Sequence, residues 1–540
     1  MPGLLGTVTR SLVARSLLLA TFFAALIPPG VVAQKMELSI DASKTGAKID
    51  RNIFGQFAEH LGHGVYEGIW VGPDSTIPNT RGIRSDVVAA LKALKVPNVR
   101  WPGGCFADEY HWRKGIGPAD RRAITLNPNW GGVIEPNTFG THEFLDFVEQ
   151  IGSEAYISVN VGSGTPQEAA EWLEYLTSAQ PTTLAKERAA NGHPAPYNIA
   201  YLGIGNESWG CGGDMTPDNY LNQLKVYSHF VRNFNPAQQE KHPRGQQMLT
   251  IAVGPGGGGS RWTEWTETIM KAYQSHTWNI GMSALSLHNY TVVKWPPSYA
   301  SVGFSEAEYA QILKSTLEME DLVSKFSAIM DNYDPKKEVA LAVDEWGAWY
   351  APLPGSNPGF LVQQQSVRDA VLAALNLNIF ARHADRVRMA NIAQMINVLQ
   401  AMIVTDQEKM VLTPTYHVFK MYVPFQDATF VPLTLDAGTY AHGEISLPRV
   451  DAIASKDKSG KLWLAITNVD PTLPAEIQLS VTGMNAKSAK GESLTAPKVD
   501  SVNTLAAPNT VTPKPFLARV QGGKLVLDLE PKSVTVVSVE

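Results

Sequence analysis

The chain has few cysteines, no clustered positive charge and almost no long apolar segment. Only two cysteines occur among its 540 residues, too few for a disulfide scaffold or for a thiolate zinc site. The formal net charge is −6 and no long run of Lys or Arg is present. The sequence therefore predicts no nucleic-acid partner, which would need a basic surface. No cofactor or metal is expected either, because His60, His63 and Glu59 lack a convincing further ligand.

The one long apolar stretch lies near the N-terminus. Residues 17–27 are almost entirely apolar, Arg10 and Arg15 precede them, and small residues up to Ala33 suit a cleavage site. With about eleven residues, this apolar core is too short to cross a bilayer comfortably. The pattern predicts a signal peptide over residues 1–33, cleaved after Ala33, and a secreted or periplasmic protein with no membrane span in its mature form. An uncleaved membrane anchor is the alternative.

Strand-like and helix-like segments then alternate over most of the chain. Amphipathic stretches such as 85–94 and 141–151 separate short, β-branched apolar runs. Eight such alternations over residues 51–410 predict a (β/α)8 barrel of the TIM type. The expected barrel strands are 52–57, 96–101, 155–161, 198–204, 248–253, 282–287, 339–343 and 388–395.

Beyond about residue 410 the helical period disappears. Short segments with alternating polarity follow, separated by turns rich in Pro, Gly and Lys. This pattern predicts an additional antiparallel β-sandwich domain over residues 411–540. Residues 36–41 alternate in the same way, so the segment 34–50 is expected to add an N-terminal strand to that sandwich. The clearest C-terminal strands are 461–467, 476–481, 524–529 and 533–539.

Two glutamates stand where predicted barrel strands end. Glu207 follows the fourth strand in the sequence Gly-Ile-Gly-Asn-Glu, and Glu345 follows the seventh in Val-Asp-Glu-Trp-Gly. Barrel enzymes hold their catalytic groups at this end of the strands. Two carboxylates on opposite sides of a sugar ring are the minimal equipment for glycoside hydrolysis. The alternative is that each glutamate forms an ordinary ion pair in a loop.

Other strand ends carry side chains that suit a sugar. Glu59, Asn206 and Gln394 offer carboxylate and amide groups to hydroxyls, and aromatic or basic residues accompany them. Cys105 and Cys211 also follow strand ends on the same face of the barrel, so a disulfide between them is possible. Two free thiols are the alternative.

Several ordered motifs resemble one family. Phe-Gly-Gln-Phe-Ala-Glu-His at residues 54–60, Arg-Trp-Pro-Gly-Gly at 100–104 and Gly-Asn-Glu at 205–207 resemble the α-L-arabinofuranosidases of glycoside hydrolase family 51, within the clan A retaining glycosidases. The resemblance runs from about Met36 to the C-terminus. It implies that Glu207 is the acid/base and Glu345 the nucleophile. Cys105 stands where many relatives have an asparagine that contacts arabinose, which leaves that contact open. The implied sugar-binding residues are Glu59, Arg100, Cys105, Asn206, His288, Tyr290 and Gln394.

The resemblance also implies an activity. The expected enzyme is a retaining, exo-acting α-L-arabinofuranosidase that removes terminal non-reducing arabinofuranosyl groups from hemicellulose or pectic glycans by double displacement. The expected partner is thus an arabinofuranosyl-containing oligo- or polysaccharide, and the family resemblance suggests a homo-oligomer. The alternatives are an endo-acting clan A glucanase or xylanase, and a catalytically silent carbohydrate-binding protein.

Overall fold

The computed structural model describes residues 34–241, 248–275 and 280–540. The predicted signal peptide, residues 1–33, lies outside the described residues. The described chain forms a closed barrel of eight parallel strands and a two-sheet β-sandwich. The predicted fold class is therefore confirmed.

Each predicted strand region overlaps one strand of the barrel, and neighbouring strands in sequence are neighbours in the barrel. The first strand is shorter than expected, because Arg51–Phe54 forms a 3-10 turn that the side chain of Asp50 caps. The sixth and seventh strands extend further than expected. The barrel strands are Gly55–Phe57, Asn98–Trp101, Glu154–Val159, Tyr201–Ile204, Leu249–Ala252, Ala284–Thr291, Ala340–Ala348 and Val387–Ile392.

Helices cover the outside of the barrel. Thr216 illustrates how they begin: its side chain accepts the amide of Asn219, and Pro217 occupies the first helical turn. In the described parts of the chain, no helix combines the length and apolarity that a membrane crossing needs. The α-helices are Ser85–Leu94, Thr141–Ile151, Pro166–Thr177, Thr183–Ala190, Pro217–Phe230, Pro236–Lys241, Ser260–Ser275, Glu306–Asp331, Val367–Arg382 and Pro414–Met421.

The sandwich uses both ends of the described chain. Gln34–Asp41 pairs in parallel with Ala475–Thr482 and antiparallel with Leu433–Leu435. Its buried Met36, Leu38 and Ile40 alternate with exposed residues and face the second sheet. In order, the first sheet contains Leu433–Leu435, Gln34–Asp41, Ala475–Thr482, Lys524–Leu529 and Arg519–Gln521; the second contains Thr429–Val431, Val450–Lys456, Leu462–Asn468, Ser533–Val539, Ala489–Leu494 and Lys514–Leu517.

The transition from barrel to sandwich lies later than the expected boundary between residues 410 and 411. The helix Pro414–Met421 still packs on the barrel, where the hydroxyl of Tyr416 donates to the carbonyl of Ala90 over 3.0 Å. After the barrel, the chain enters its next sandwich strand only at Thr429. Four hairpins complete the described strands: Asn79–Thr80 with Ile83–Arg84, Thr125–Asn127 with Val133–Glu135, Ile403–Asp406 with Lys409–Leu412, and Thr439–His442 with Ile445–Pro448.

Candidate active site

The sequence-derived site residues meet at the C-terminal end of the barrel. Glu207 follows the fourth strand, whereas Glu345 lies inside the seventh strand because that strand continues to Ala348. His288, in the neighbouring sixth strand, is in register with Glu345. The nine residues brought together here are Glu59, Arg100, Cys105, Asn206, Glu207, His288, Tyr290, Glu345 and Gln394.

The two glutamates approach each other closely. A carboxylate oxygen of Glu207, a carboxylate oxygen of Glu345 and a ring nitrogen of His288 all lie within 4.8 Å of one another. Retaining glycosidases place their two carboxyl groups about 5–5.5 Å apart, whereas inverting enzymes leave about 6.5–9.5 Å for a water molecule. The spacing in this site fits direct attack by one carboxylate and proton transfer by the other.

Glu345 is held at both oxygens. Arg100 donates from Nη1 to Oε1 over 2.7 Å, and the hydroxyl of Tyr290 donates to Oε2 over 2.8 Å. Arg100 also donates from Nη2 to Oδ1 of Asn206 over 2.6 Å. Burial alone would lower the pKa of Arg100, but the charges of Glu345 and Asp344 outweigh it and raise the pKa. Arg100 therefore stays cationic and donates a charge-assisted hydrogen bond to Glu345.

Glu207 is in a different electrostatic environment. Removal from water, together with the negative charge of Glu345, raises the pKa of Glu207 above its ordinary value, against the effect of a contact with His288. Nδ1 of His288 lies 2.9 Å from Oε1 of Glu207. A carboxyl group with a raised pKa holds its proton longer as pH rises and suits a general acid.

His288 connects the two glutamates to Asp344. Its Nε2 lies 3.3 Å from Oδ1 of Asp344. Burial would lower the pKa of His288, but Glu345, Asp344 and Glu207 together raise it to about 10. Asp344 also accepts the hydroxyl of Tyr156 over 2.6 Å. Although burial opposes ionisation, Arg100 and His288 keep the pKa of Asp344 below its ordinary value. The sequence analysis gave no role to Asp344 or Tyr156.

Glu59 lines the same site as the two glutamates. Its Oε1 accepts the amides of Gly104 and Phe106 over 3.1 Å each and the indole N–H of Trp130 over 2.8 Å. Nε2 of Gln394 donates to Oε2 over 3.0 Å. Burial first, and then the charge of Glu345, raise the pKa of Glu59 to about 7. The amide of Gln394 and the neutral or ionised carboxyl of Glu59 can together bind sugar hydroxyls.

The glycines of the Arg-Trp-Pro-Gly-Gly motif allow this close approach. A Cβ at Gly103 would lie 2.7 Å from Cγ of Glu59, and one at Gly104 would lie 3.1 Å from Oε1 of Glu345. A side chain at Gly103 would therefore displace Glu59. His60 is not among the residues that line the site, and its ring pairs with Glu135 over 2.9 Å. His63 pairs with Glu67. These histidines and Glu59 are not brought together as a ligand set.

A disulfide bonds Cys105 to Cys211 at the edge of the site. It joins the loop after the second strand to the loop after the fourth strand. Sγ of Cys211 lies 3.7 Å from Oε2 of Glu207, and Cys105 lines the cavity. The link therefore restrains the loop that follows Glu207.

The site opens into a small cavity. Aromatic and aliphatic side chains form its walls around the polar centre: Trp130, Tyr290, Trp349, Leu61, Leu361 and Leu399. The ring of Trp349 lies 5.0 Å from that of Tyr290 in an edge-to-face arrangement. Trp130, from the turn of the Thr125–Asn127 hairpin, was missed in the sequence analysis because nothing local places that turn over the barrel. A compact cavity with convergent polar groups is typical of a small-molecule site.

The chain matches two family models. The α-L-arabinofuranosidase 1 domain matches residues 90–278, and the α-L-arabinofuranosidase C-terminal domain matches residues 344–533. An intracellular exo-α-L-arabinofuranosidase of Bacteroides ovatus is 43% identical over 531 residues, which are 98% of this chain and 100% of that protein.

Two solved structures of arabinofuranosidases are also similar to this chain. The family 51 arabinofuranosidase from Xanthomonas axonopodis pv. citri has a TM-score of 0.89 and 50% identity over 94% of this chain and 100% of its own. The α-L-arabinofuranosidase from Thermotoga maritima, solved with arabinose, has a TM-score of 0.80 and 30% identity over the same shares.

The predicted secreted or periplasmic location is wrong. The B. ovatus relative, which this chain matches along nearly its whole length, is named an intracellular enzyme. A short apolar stretch after two arginines was therefore insufficient grounds for predicting export. The barrel, the sandwich and the active-site motifs all fall within the matched length, and the chain is thus a glycoside hydrolase that belongs to the family 51 α-L-arabinofuranosidases.

Proposed function

We propose that this enzyme is a retaining, exo-acting α-L-arabinofuranosidase in which Glu345 is the nucleophile and Glu207 the acid/base. The observation that carries the proposal is the short distance between the two carboxylates, within 4.8 Å. This close approach of one oxygen from each carboxylate agrees with the separation of about 5–5.5 Å in retaining enzymes rather than with that of about 6.5–9.5 Å in inverting ones.

In the first step, Glu345 attacks the anomeric carbon of the arabinofuranosyl group. A covalent ester forms between Glu345 and that carbon while the bond to the leaving oxygen breaks. Glu207 transfers its proton to the departing oxygen. Arg100 and Tyr290 hold the two oxygens of Glu345 during the approach.

In the second step, Glu207 takes a proton from water while the water oxygen bonds to the anomeric carbon. The bond from that carbon to Glu345 breaks, which releases arabinose and restores the Glu345 carboxylate. The same charges explain how Glu207 changes roles. The negative charge of Glu345 helps to raise the pKa of Glu207. Formation of the ester neutralises Glu345, so the pKa of Glu207 falls and the group becomes available as a base.

The proposed sugar-binding groups surround the cavity. Glu59, Asn206 and Gln394 provide acceptors and donors for hydroxyls, and Trp130 and Trp349 provide apolar faces. The small cavity supports removal of one terminal residue at a time, as does the exo activity in the name of the B. ovatus relative. We propose arabinofuranosyl groups on fragments of hemicellulose or pectic glycans as the substrate. No specific observation favours the endo-acting or the silent alternative.

Hydrolysis of aryl glycosides tests this proposal. The enzyme is expected to release phenol from an aryl α-L-arabinofuranoside and much less from aryl xylosides or glucosides. Proton NMR of the reaction is expected to show the α-configured sugar first, before mutarotation. The β-configured sugar as first product would contradict the retaining mechanism, and cleavage confined to internal bonds of glycans would contradict exo action.

We also propose that the enzyme is a homo-oligomer. Besides the family resemblance, an apolar patch supports this: Leu126 and Ile134 pair across the Thr125–Asn127 hairpin, and Ile124 adjoins them. These three side chains are 63–70% exposed, which is unusual for large aliphatic groups grouped together. Light scattering coupled to gel filtration measures the mass; a monomeric mass at micromolar concentration contradicts the proposal.

A further inference from the structure

One buried carboxylate near the site takes no part in the steps above. Asp108 is 2% exposed and lies in the loop after the second barrel strand, in the 3-10 turn that begins at Cys105. It is not among the side chains that line the cavity. Burial raises its pKa to about 7, although three backbone amides oppose that effect.

Those amides belong to two other strand ends. Oδ1 of Asp108 accepts the N–H of Val161 over 2.7 Å and of Gly162 over 2.8 Å, after the third strand. Oδ2 accepts the N–H of Asn206 over 2.9 Å, after the fourth strand. A single carboxylate therefore ties three consecutive strand ends together next to Glu207.

The segment held by Asp108 has an uncommon backbone conformation. Glu207 has a φ of 39°, in the left-handed region that non-glycine residues seldom occupy. Its carbonyl accepts the amides of Gly210 over 2.7 Å and Gly212 over 3.1 Å, so the chain turns back on itself. A Cβ at Gly212 would lie 1.9 Å from the carbonyl oxygen of Asn206 and 2.7 Å from Oδ2 of Asp108. This turn therefore wraps tightly around the Asp108 carboxylate.

We propose that Asp108 is a positioning residue for proton transfer, which fixes the Asn206–Glu207 turn so that the carboxyl of Glu207 points at the leaving oxygen. The proposal rests on the proposed acid/base role of Glu207. Glu345 is held directly by Arg100 and Tyr290, and it is linked to Asp108 only indirectly, through Arg100 and Asn206. Loss of the Asp108 contacts should therefore disturb proton donation more than nucleophilic attack.

Because proton donation and nucleophilic attack should be affected differently, an experiment can distinguish a positioning role from a purely structural one. A leaving group that departs without a proton does not need the general acid, whereas a poor leaving group does. The values of kcat/KM for dinitrophenyl and for phenyl α-L-arabinofuranoside, which report the first step, therefore separate the two roles. In Asp108→Asn, an amide N–H replaces one acceptor oxygen and cannot accept a backbone N–H.

We expect Asp108→Asn to lower kcat/KM for the phenyl substrate about 10- to 100-fold, part of the usual contribution of a general acid. The dinitrophenyl substrate should change by less than about fivefold on the same reasoning. Azide should raise kcat of the variant with the dinitrophenyl substrate, because a nucleophile that needs no base replaces water. Asp108→Ser removes both carboxylate oxygens without adding an amide and carries the same expectation, so a failure of one variant to fold leaves the other.

Asp334→Asn is the matched control. Asp334 is also buried and accepts two backbone amides, of Glu338 and Val339, but it lies near the start of the seventh strand, at the far end of the barrel. Asp334→Asn should lower the free energy of unfolding, and any change in kcat/KM should be the same for the dinitrophenyl and the phenyl substrate. Equal losses for both substrates in the Asp108 variants would overturn the proposal. If Glu207→Ala itself showed no such dependence, the acid/base assignment would fail instead.

Discussion

The guanidinium of Arg100 and the carboxylate of Glu345 form an ion pair over 2.7 Å in which both side chains are almost fully buried. Breaking a buried pair by removing one partner leaves an uncompensated charge, which costs about 3–5 kcal/mol. Arg100 also donates to Asn206, the neighbour of Glu207. The two proposed catalytic carboxylates are therefore positioned through one cation, which binds Glu345 directly and reaches Glu207 only through its neighbour Asn206.

The first prediction separates the roles of the two glutamates. Glu345→Ala should abolish turnover of every substrate, because no ester can form. Glu207→Ala should retain glycosylation by substrates whose leaving group departs without a proton. Azide should then rescue Glu207→Ala and give an arabinosyl azide of retained configuration, which NMR identifies.

The configuration of the azide product also defines the result that would contradict these assignments. An azide of inverted configuration from Glu207→Ala would mean that azide had replaced the nucleophile, and the two assignments would have to be exchanged. Glu168→Ala serves as a control, since Glu168 pairs with His111 outside the cavity. That variant should keep full activity toward both kinds of substrate.

The second prediction concerns the pH dependence of stability. Burial and the charge of Glu345 raise the pKa of Glu59 from 4.5 to about 7. Because the folded-state pKa is raised, the stability linked to Glu59 is fully present below pH 4.5 and is lost as pH rises through about 7. Glu59→Gln removes this ionisation, so its free energy of unfolding should fall less between these pH values than that of the original protein.

Urea unfolding without substrate at several pH values measures the effect. The exposed Glu408 provides a control, and Glu408→Gln should follow the original pH profile. If Glu59→Gln lost stability as steeply as the original protein over this range, Glu59 would already be ionised in the fold at low pH.

The third prediction concerns the disulfide between Cys105 and Cys211, which closes a loop across a separation of 106 residues. Cys211 is exposed, so a thiol reductant should reach the bond. Reduction, or Cys211→Ser, should cost about 2–4 kcal/mol of unfolding free energy, less to the extent that the barrel already fixes both loops. It should also lower kcat for poor leaving groups, because the loop after Glu207 loses a restraint.

Disulfides are rare in reducing compartments, so the oxidation state in the producing cell matters as well. Alkylation of freshly lysed, unfolded protein counts the free thiols there, and the purified protein treated with oxidised glutathione is the comparison. If purified, oxidised protein still contained two alkylatable thiols, the bond would not form. Unchanged activity and stability on reduction would instead show that the bond restrains nothing.

The fold could be predicted further than the site. The barrel followed from alternating buried strands and amphipathic helices, since burial on both faces leaves continuous apolar runs such as 339–343. The exact bounds of its strands and helices depend on tertiary contacts, which the sequence alone does not show. Arg51–Phe54 forms a 3-10 turn rather than the start of a strand. The helix Pro414–Met421 has only eight residues and buries six of them, so it shows little polar face from which a helical period could be recognised.

Within the site, the residues named from motifs at strand ends do meet in the structure. Asp108, Tyr156 and Trp130 were missed because their importance depends on partners that are distant in sequence. Arg100 illustrates a different case: the motif residue was named from the sequence, but its contacts with Asn206 and Asp344 became visible only in three dimensions. The predicted location was wrong because the composition of an N-terminal segment alone does not distinguish export from retention.

The last prediction asks whether the sandwich is a detachable module. The strand Gln34–Asp41 precedes the barrel but pairs over its full length with Ala475–Thr482. Helix Val367–Arg382 of the barrel is buried against the sandwich, where Arg382 and Asn378 both bind Asp451 over 2.8 Å and 2.7 Å. Cutting the chain after residue 425 would expose that helix and leave an unpaired apolar strand, which is prone to aggregate.

We therefore expect the fragment 34–425 to be insoluble or inactive, and the fragment 43–425, which lacks the unpaired strand, to remain so because Val367–Arg382 is still uncovered. The free sandwich, without Gln34–Asp41, should not fold, since a central strand of one sheet is missing. Solubility, circular dichroism and hydrolysis of an aryl arabinofuranoside measure these outcomes. A soluble barrel fragment with full activity would show that the sandwich is dispensable for catalysis, and a soluble 43–425 beside an insoluble 34–425 would show that the unpaired strand alone causes aggregation.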